Sequence, residues 1–159
     1  MKRIIYMVFM NLFHAPVWLL KIARMARPGD NHTMQQRYDY IAEMTRRIIK
    51  RGRVTIKVTG VEHIPEKDGF MLFPNHQGLF DVLALFSTCP KALSVVIKKE
   101  ASGWILVKQV LGATGSLAMD RKDMKDQVRI IGEVTRLVKE GRNFVIFAEG
   151  HRSRKGNEI

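Results

Sequence analysis

Hydrophobic residues are concentrated at the start of the chain. Residues 4–20 read IIYMVFMNLFHAPVWLL, interrupted by Asn11, His14 and Pro16. As one helix, these 17 residues would extend about 25 Å at about 1.5 Å per residue, short of a hydrocarbon core of about 30 Å. On a helical wheel the polar positions share one side. The pattern predicts a helix, kinked at Pro16, that lies in a membrane interface with Phe9 and Trp18 as anchors.

The sequence leaves three alternatives open for this segment: a transmembrane span, a cleaved signal peptide, and a helix buried in the protein's own core. Basic residues flank both of its ends, so charge gives no orientation across a membrane. No small-residue cleavage site follows, and the next residues, IARMARPGD, are too basic for a signal peptide. The interfacial helix is the interpretation that the wheel favours.

A second helix is predicted over residues 34–51, where Tyr38, Ile41 and Ile48 recur at helical spacing. Its basic residues collect toward the C-terminal end, where the helix dipole favours cations. They are Arg46, Arg47, Lys50 and Arg51. Such a face is either simply solvated or in contact with anionic lipid headgroups.

From residue 53 the pattern becomes one of short strands and longer helices. Val54, Ile56 and Val58 alternate with polar residues and predict a half-buried strand. Apolar runs predict further strands at 70–73, 93–97, 116–119 and 143–147, and helical patterns fall at about 79–87, 103–111 and 124–140. Alternating strands and helices indicate an α/β fold, a layered and largely parallel sheet flanked by helices. We therefore expect membrane-interface helices over residues 1–52 and an α/β core over residues 53–159.

Charge and cysteine content restrict the function further. Lys and Arg number 27 against 15 Asp and Glu, a formal net charge of +12, which favours polyanions such as lipid headgroups, phosphorylated molecules or nucleic acid. The single cysteine, Cys89, excludes an intrachain disulfide and any CxxC site. A reducing compartment, or the membrane face toward it, fits this composition.

Polar clusters follow three of the predicted strands, at the ends where active sites of parallel sheets lie. They are Asn75 to Asp81, Asp120-Arg121, and Glu149 to Arg154. In the first cluster, His76 and Asp81 can meet only if His76 lies in a loop and Asp81 in the first turns of the next helix. A carboxylate bonded to one imidazole nitrogen would leave the other free as a general base. The alternative is a purely structural hydrogen bond.

The nucleophile would then be a hydroxyl group of the substrate. The chain contains no GxSxG motif, and Cys89 has no recognisable motif around it. The pair therefore looks like the His-Asp part of a catalytic triad without its serine.

Several segments resemble the glycerolipid acyltransferase family, typified by 1-acylglycerol-3-phosphate acyltransferases. NHQGLFD (75–81) is similar to the NH-x4-D motif, and residues 97–100 to the Lys-x-Glu segment. GSLAMDR (115–121) resembles the second motif and FAEGHRSR (147–154) the third, with Ala148 and His151 in place of the usual Pro and Thr. The resemblance covers about residues 54–155. Family members continue past the third motif, so we expect a chain cut short relative to the family.

The resemblance implies roles for eight residues. His76 would be the base that deprotonates the acceptor hydroxyl for attack on an acyl thioester, and Asp81 would orient it. The substrate-binding residues, mainly for the acceptor's phosphate, would be Asn75, Lys98, Arg121, Glu149, Gly150 and Arg152. Arg suits phosphate because its planar fork makes paired charge-assisted bonds.

The implied activity is transfer of a fatty acyl group from acyl-CoA or acyl-carrier protein to 1-acylglycerol 3-phosphate, in phospholipid synthesis at the cytoplasmic face of the inner or plasma membrane. The thioester would be a co-substrate, and no metal or bound cofactor is expected. The expected partners are an anionic membrane surface, a lysophospholipid acceptor and the thioester donor, without nucleic acid. Two alternatives stay open: the same chemistry on glycerol 3-phosphate or another lysolipid, and a non-catalytic basic module that binds membrane or nucleic acid.

Overall fold

The computed structural model describes residues 2–76 and 78–147. Within them lie six α-helices and four strands. The helices are α1 (Lys2–Asn11), α2 (Ala15–Met25), α3 (Met34–Arg51), α4 (Leu79–Thr88), α5 (Ile105–Thr114) and α6 (Met124–Lys139). The strands are β1 (Met71–Leu72), β2 (Leu93–Lys98), β3 (Leu117–Met119) and β4 (Asn143–Ile146).

The apolar N-terminal segment forms two helices, so the prediction of one kinked helix was wrong. The chain turns at residues 12–14, and Pro16 lies in the first turn of α2. Proline is favoured there because the first N–H groups of a helix have no intrahelical acceptor. Among the described residues, no helix combines the length and the apolar character that a bilayer crossing requires.

The prediction that Trp18 is a membrane anchor was also wrong, because this residue is only 8% exposed. It packs in the protein core together with Ile22 and lies near the guanidinium of Arg51. Phe9, the other expected anchor, is exposed. It belongs to an exposed apolar surface of α1 and α2, which we call the N-terminal apolar surface: Val8, Phe9, Leu12, Phe13, Val17 and Leu20.

Helix α3 begins with a capping box in which Thr33 and Gln36 bond each other's backbone N–H. One face is buried, including Tyr38 and Ile41, as the spacing predicted. The opposite end of α3 carries exposed basic side chains at Arg46 and Lys50.

All four strands are parallel and lie in the order β1-β4-β2-β3. This confirms the α/β fold with a parallel sheet, and the predicted strands from residue 70 onward agree within two residues at each end. Side chains that alternate along the strands enter two cores: Val95 and Val145 face helices α2–α4, and Val96 and Phe144 face α6. The sheet is therefore covered by helices on both sides, as expected for parallel strands.

The predicted strand at residues 54–58 is wrong. In the described part of the chain, this segment has no regular secondary structure and pairs with no strand. Alternation of apolar residues marks a half-buried extended segment, whereas a strand also needs a neighbour to bond its backbone.

The N-terminal helices and the α/β region share one hydrophobic cluster. Ile22 of α2 and Ile41 of α3 pack in the same cluster as Phe86 of α4 and Val95 of β2. The helices thus cover one face of the sheet. The boundary at residues 52 and 53 stays a prediction.

Candidate active site at the carboxyl edge of the sheet

The carboxyl ends of the four parallel strands meet at one edge of the sheet, which brings three sequence-predicted segments together. His76 follows β1, Lys98 ends β2, and Arg121 follows β3. Phe147 follows β4, which lies between β1 and β2. Two strands, β4 and β2, therefore separate the strand that leads to His76 from the strand that leads to Arg121.

The predicted contact between His76 and Asp81 is present. Nδ1 of His76 lies 3.0 Å from Oδ2 of Asp81, and the same oxygen accepts the backbone N–H of Gly78 at 3.0 Å. Asp81 is in the first turn of α4 and His76 in the preceding loop, the arrangement that the five-residue spacing requires. Their side chains are 23% and 26% exposed. An ionised carboxylate only accepts hydrogen bonds, so this contact requires a proton on Nδ1 of His76. In the neutral imidazole, Nε2 then has the free lone pair.

The imidazole of His76 also contacts the ring of Phe147, which is buried. The two ring centroids are 4.3 Å apart, with the planes tilted by 41°. The sequence analysis placed Phe147 in the third motif but gave it no role. Its position follows from the sheet order, because β4 is the neighbour of β1.

The turn that carries Arg121 is held by hydrogen bonds on several sides. Asp120 accepts the backbone N–H of Lys122 at 2.9 Å and the ammonium of Lys99 at 3.3 Å. These two donors hold the pKa of the Asp120 carboxyl below its usual value. The Lys99 bond joins the end of β2 to the end of β3.

Two side chains of α6 also form hydrogen bonds with the backbone of this turn. Oδ2 of Asp126 accepts the backbone N–H of Asp120 at 2.7 Å, and Nε2 of Gln127 donates to the carbonyl of Arg121 at 2.9 Å. The bond from Asp120 N–H, together with the guanidinium of Arg129, holds the pKa of the Asp126 carboxyl below its usual value.

The remaining predicted site residues are distributed as follows. Asn75 and Lys98 are exposed at the sheet edge, and Arg121 is exposed on its turn. Glu149, Gly150 and Arg152 lie outside the described residues, as do Ala148 and His151. In the described part of the chain, no group of three or more His, Cys, Asp or Glu side chains could hold a metal ion.

A family model described as Acyltransferase matches residues 55–158. The chain belongs to the acyltransferase family. The resemblance to the family is thereby confirmed, and the matched range contains all four strands of the sheet.

Curated relatives of the chain include three that carry the name 1-acyl-sn-glycerol-3-phosphate acyltransferase. The Borreliella burgdorferi protein is 28% identical over 104 residues, covering 65% of this chain and 42% of the relative. The Helicobacter pylori protein is 31% identical over 85 residues, covering 54% and 36%. The Homo sapiens alpha form is 24% identical over 107 residues, covering 67% and 38%. The chain spans about two fifths of the length of these relatives, and no solved structure matches it.

The chain also contains an apolar cavity of about 350 Å³ between helices α1–α5 and strand β2. Val82 and Leu83, directly after Asp81, line it, as does Ile97 near the end of β2. The cavity therefore extends to the first turns of α4, beside Asp81, and to the C-terminal half of β2.

The polar side chains in the cavity wall are bonded to the protein. Thr45 donates to the carbonyl of Ile41, and Oγ of Ser116 accepts the backbone N–H of Val95. Asn11 donates to the carbonyl of Met7 and accepts from Arg51. The interior thus presents hydrocarbon to a ligand.

The sequence analysis missed Asp126 and Gln127 as well as Phe147. The sequence offered one indication for Asp126 and Gln127: both lie near the start of a predicted helix, shortly after the polar residues that follow a strand. That signal marks helix caps in general, and only the folded backbone shows which turn they bond.

Proposed function

We propose that this chain forms the acyl-transfer centre of an enzyme that moves a fatty acyl group from acyl-CoA or acyl-carrier protein to the free hydroxyl of 1-acylglycerol 3-phosphate, in phospholipid synthesis. The observation that carries the proposal is the 3.0 Å contact between Nδ1 of His76 and Oδ2 of Asp81. The two residues after Asp81, Val82 and Leu83, line an apolar cavity. The names of the curated relatives support the choice of acceptor.

In the proposed mechanism, His76 acts as general base through Nε2 while Asp81 holds Nδ1–H. Nε2 takes the proton of the acceptor hydroxyl, and the acceptor oxygen attacks the thioester carbonyl carbon. The C–O bond forms, the C–S bond then breaks, and the thiolate leaves with the proton that His76 returns. Asp81 stabilises the imidazolium that exists between the two proton transfers.

We assign the acyl chain to the apolar cavity. Its volume lies within the range of about 300–1,000 Å³ that is typical of ligand pockets, and burying hydrocarbon there contributes about 25 cal/mol per Å² of apolar surface removed from water. Val82, next to Asp81, lines the cavity, which supports placing the thioester carbonyl near His76.

We assign the acceptor's phosphate to the basic side of the same edge. Arg121 is exposed on a turn that is fixed by hydrogen bonds, and Lys98 is exposed at the end of β2. Asn75 would contact substrate beside His76. Family resemblance alone supports the phosphate roles of Glu149, Gly150 and Arg152. No metal or bound cofactor has a role in this mechanism.

We further propose that the enzyme works on the cytoplasmic face of an anionic membrane, with its N-terminal apolar surface in the lipid. Val8 and Leu12 belong to that surface and also line the cavity, so the cavity adjoins the side that would face lipid. The basic end of α3 would lie near headgroups, where each Lys or Arg contributes about 1 kcal/mol of attraction.

The test is acyl transfer in mixed micelles by the 159-residue chain, with labelled acyl-CoA or acyl-carrier protein and with 1-acylglycerol 3-phosphate or glycerol 3-phosphate. His76→Ala should lose activity by about 10²-fold or more, the usual contribution of a general base. His63→Ala is the matched control, because the His63 side chain is 85% exposed at the end of a short 3-10 helix, residues 61–63.

Each outcome bears on a different part of the proposal. Equal product from the parent and from His76→Ala would refute the mechanism. If product formed with glycerol 3-phosphate but not with 1-acylglycerol 3-phosphate, the proposed acceptor would be wrong and glycerol 3-phosphate would take its place. No product from the folded parent with either acceptor would refute acyl transfer by this chain.

A further inference from the structure

Two side chains near the start of α6 form hydrogen bonds with the backbone of the turn after β3, one before and one after the Cα atom of Arg121. The N–H of Asp120 and the carbonyl of Arg121 belong to peptide planes on opposite sides of this turn, and Asp126 and Gln127 bond one each. When both planes are fixed, the dihedral angles of residues 120 and 121 between them are fixed as well. We propose that Asp126 and Gln127 are positioning residues that direct Arg121 toward the acceptor's phosphate, an inference that rests on the proposed function.

The sheet order explains why Arg121 needs such support. Strand β3 is at the edge of the described sheet and β1 is at its other edge. With about 4.8 Å between neighbouring strands, three intervals separate the two strands by about 14 Å. Arg121 must therefore reach back across the ends of β2 and β4 to bind the same small acceptor as His76, so its direction matters.

A flexible turn at this point would weaken phosphate binding. Arg121 is exposed, and a long exposed side chain loses rotamer freedom when it binds. On a mobile backbone the loss is greater, so fixing the backbone in advance favours binding without adding a contact. The neighbouring strand β2 supports the turn through Lys99 and Asp120, and α6 supplies the support from the other direction.

The charges around the turn fit a role in orientation. Asp126 divides its carboxylate between the N–H of Asp120 and the guanidinium of Arg129, at 2.6 Å. Arg129 can therefore be removed while the bond from Asp126 to the turn remains, which separates turn positioning from the general stability of α6.

The experiment compares two acceptors that differ only in the phosphate, 1-acylglycerol 3-phosphate and the neutral monoacylglycerol. Gln127→Ala and Asp126→Ala should raise KM for the phosphate acceptor about 3- to 10-fold, the loss of one ordinary hydrogen bond, with kcat within about twofold of the parent. Transfer to monoacylglycerol should change little. Asp126→Asn retains an oxygen for the Asp120 N–H, so its KM for the phosphate acceptor should stay close to that of the parent. Arg129→Ala should also resemble the parent.

A double-mutant cycle with Arg121→Ala gives the decisive readout. If Gln127 acts through Arg121, then Gln127→Ala should have no further effect on KM once Arg121 is removed. Additive effects, or equal losses for both acceptors, would overturn the inference and leave Asp126 and Gln127 as stabilising residues. A folded parent that transfers to neither acceptor would overturn the proposed function itself, and this inference with it.

Discussion

The ring of Phe147 packs against the imidazole of His76, which joins the end of the fourth strand to the loop after the first. The ring centroids are 4.3 Å apart, and Oδ2 of Asp81 lies 3.0 Å from Nδ1 of the same imidazole. His76 is thus oriented by a hydrogen bond and by an aromatic contact, and the two come from different parts of the chain.

We predict that Phe147→Leu lowers kcat several-fold with little loss of stability. Leucine fills most of the buried volume, and near-isosteric swaps cost less than about 1.5 kcal/mol, but the flat ring beside His76 is lost. Steady-state kinetics and thermal unfolding of the same preparation measure both effects. Phe144→Leu, a buried phenylalanine facing α6, is the matched control. Equal kcat in Phe147→Leu and the parent would show that the ring contact does not affect His76.

Asp81→Asn should lower kcat by about 10²-fold, because the amide keeps an oxygen for the Gly78 N–H but removes the charge that stabilises imidazolium. The measurement is kcat with 1-acylglycerol 3-phosphate. Asp39→Asn, on the exposed side of α3, should retain the parent rate. Full activity of Asp81→Asn would show that Asp81 serves only to cap the N-terminus of α4.

Acid should destabilise the turn that carries Arg121. The Asp120 pKa is lowered in the folded state by the Lys122 N–H and the Lys99 ammonium, so its contribution to stability is present above the unfolded pKa of about 3.9. It is lost as the pH falls through the folded pKa. The free energy of unfolding, measured by denaturant titration from pH 6 downward, should therefore fall less steeply below about pH 4 in Asp120→Asn than in the parent. Parallel curves would contradict this.

Narrowing the apolar cavity should change the preference for acyl length. Val110 lines the cavity from α5, and Val110→Phe should shift the optimum toward shorter acyl-CoA substrates, at a stability cost of about 1–3 kcal/mol from overpacking. Val128→Phe makes the same change on the exposed side of α6 and should leave the profile as it is. Rates across a series of acyl chain lengths provide the test. An unchanged optimum in Val110→Phe would argue against the cavity as the acyl site.

The N-terminal apolar surface should carry membrane association. Phe13 is 85% exposed, so Phe13→Asp should reduce co-sedimentation with anionic vesicles while changing stability by no more than about 0.5 kcal/mol. Trp18→Ala should instead destabilise the fold by about 3–5 kcal/mol, because Trp18 is buried. Unaltered sedimentation of Phe13→Asp would exclude this surface as the lipid contact.

The N-terminal helices mark a limit of prediction from local pattern. The wheel placed Asn11 and His14 on one side of a single helix, but it could not show that the chain turns between α1 and α2, or that Asn11 is buried while His14 is exposed. Arg51 lies 40 residues from Asn11 and donates hydrogen bonds to it and to His14. Such a partner is supplied by tertiary packing, which no window of neighbouring residues contains.

The sheet and the His76–Asp81 contact were predictable because each depends on short-range sequence. Apolar runs between helices specify buried strands, and a five-residue spacing specifies a loop that returns to a helix start. The roles of Asp126 and Gln127 were not predictable, since they depend on how α6 docks beneath β3. Residues 54–58 failed as a strand for a related reason, because pairing requires a second strand in addition to alternation.

The sheet order also has a consequence for synthesis on the ribosome. Strand β1 pairs with β4, Met71 opposite Phe144, and with no other described strand. A nascent chain that has released β1, β2 and β3 therefore still lacks the neighbour that β1 requires, and His76 has no ring beside it. Contacts of such long sequence separation form slowly. The emerging polypeptide consequently displays its N-terminal apolar surface long before His76 can contact Phe147. If that surface binds lipid as proposed, lipid contact can precede assembly of the His76 site.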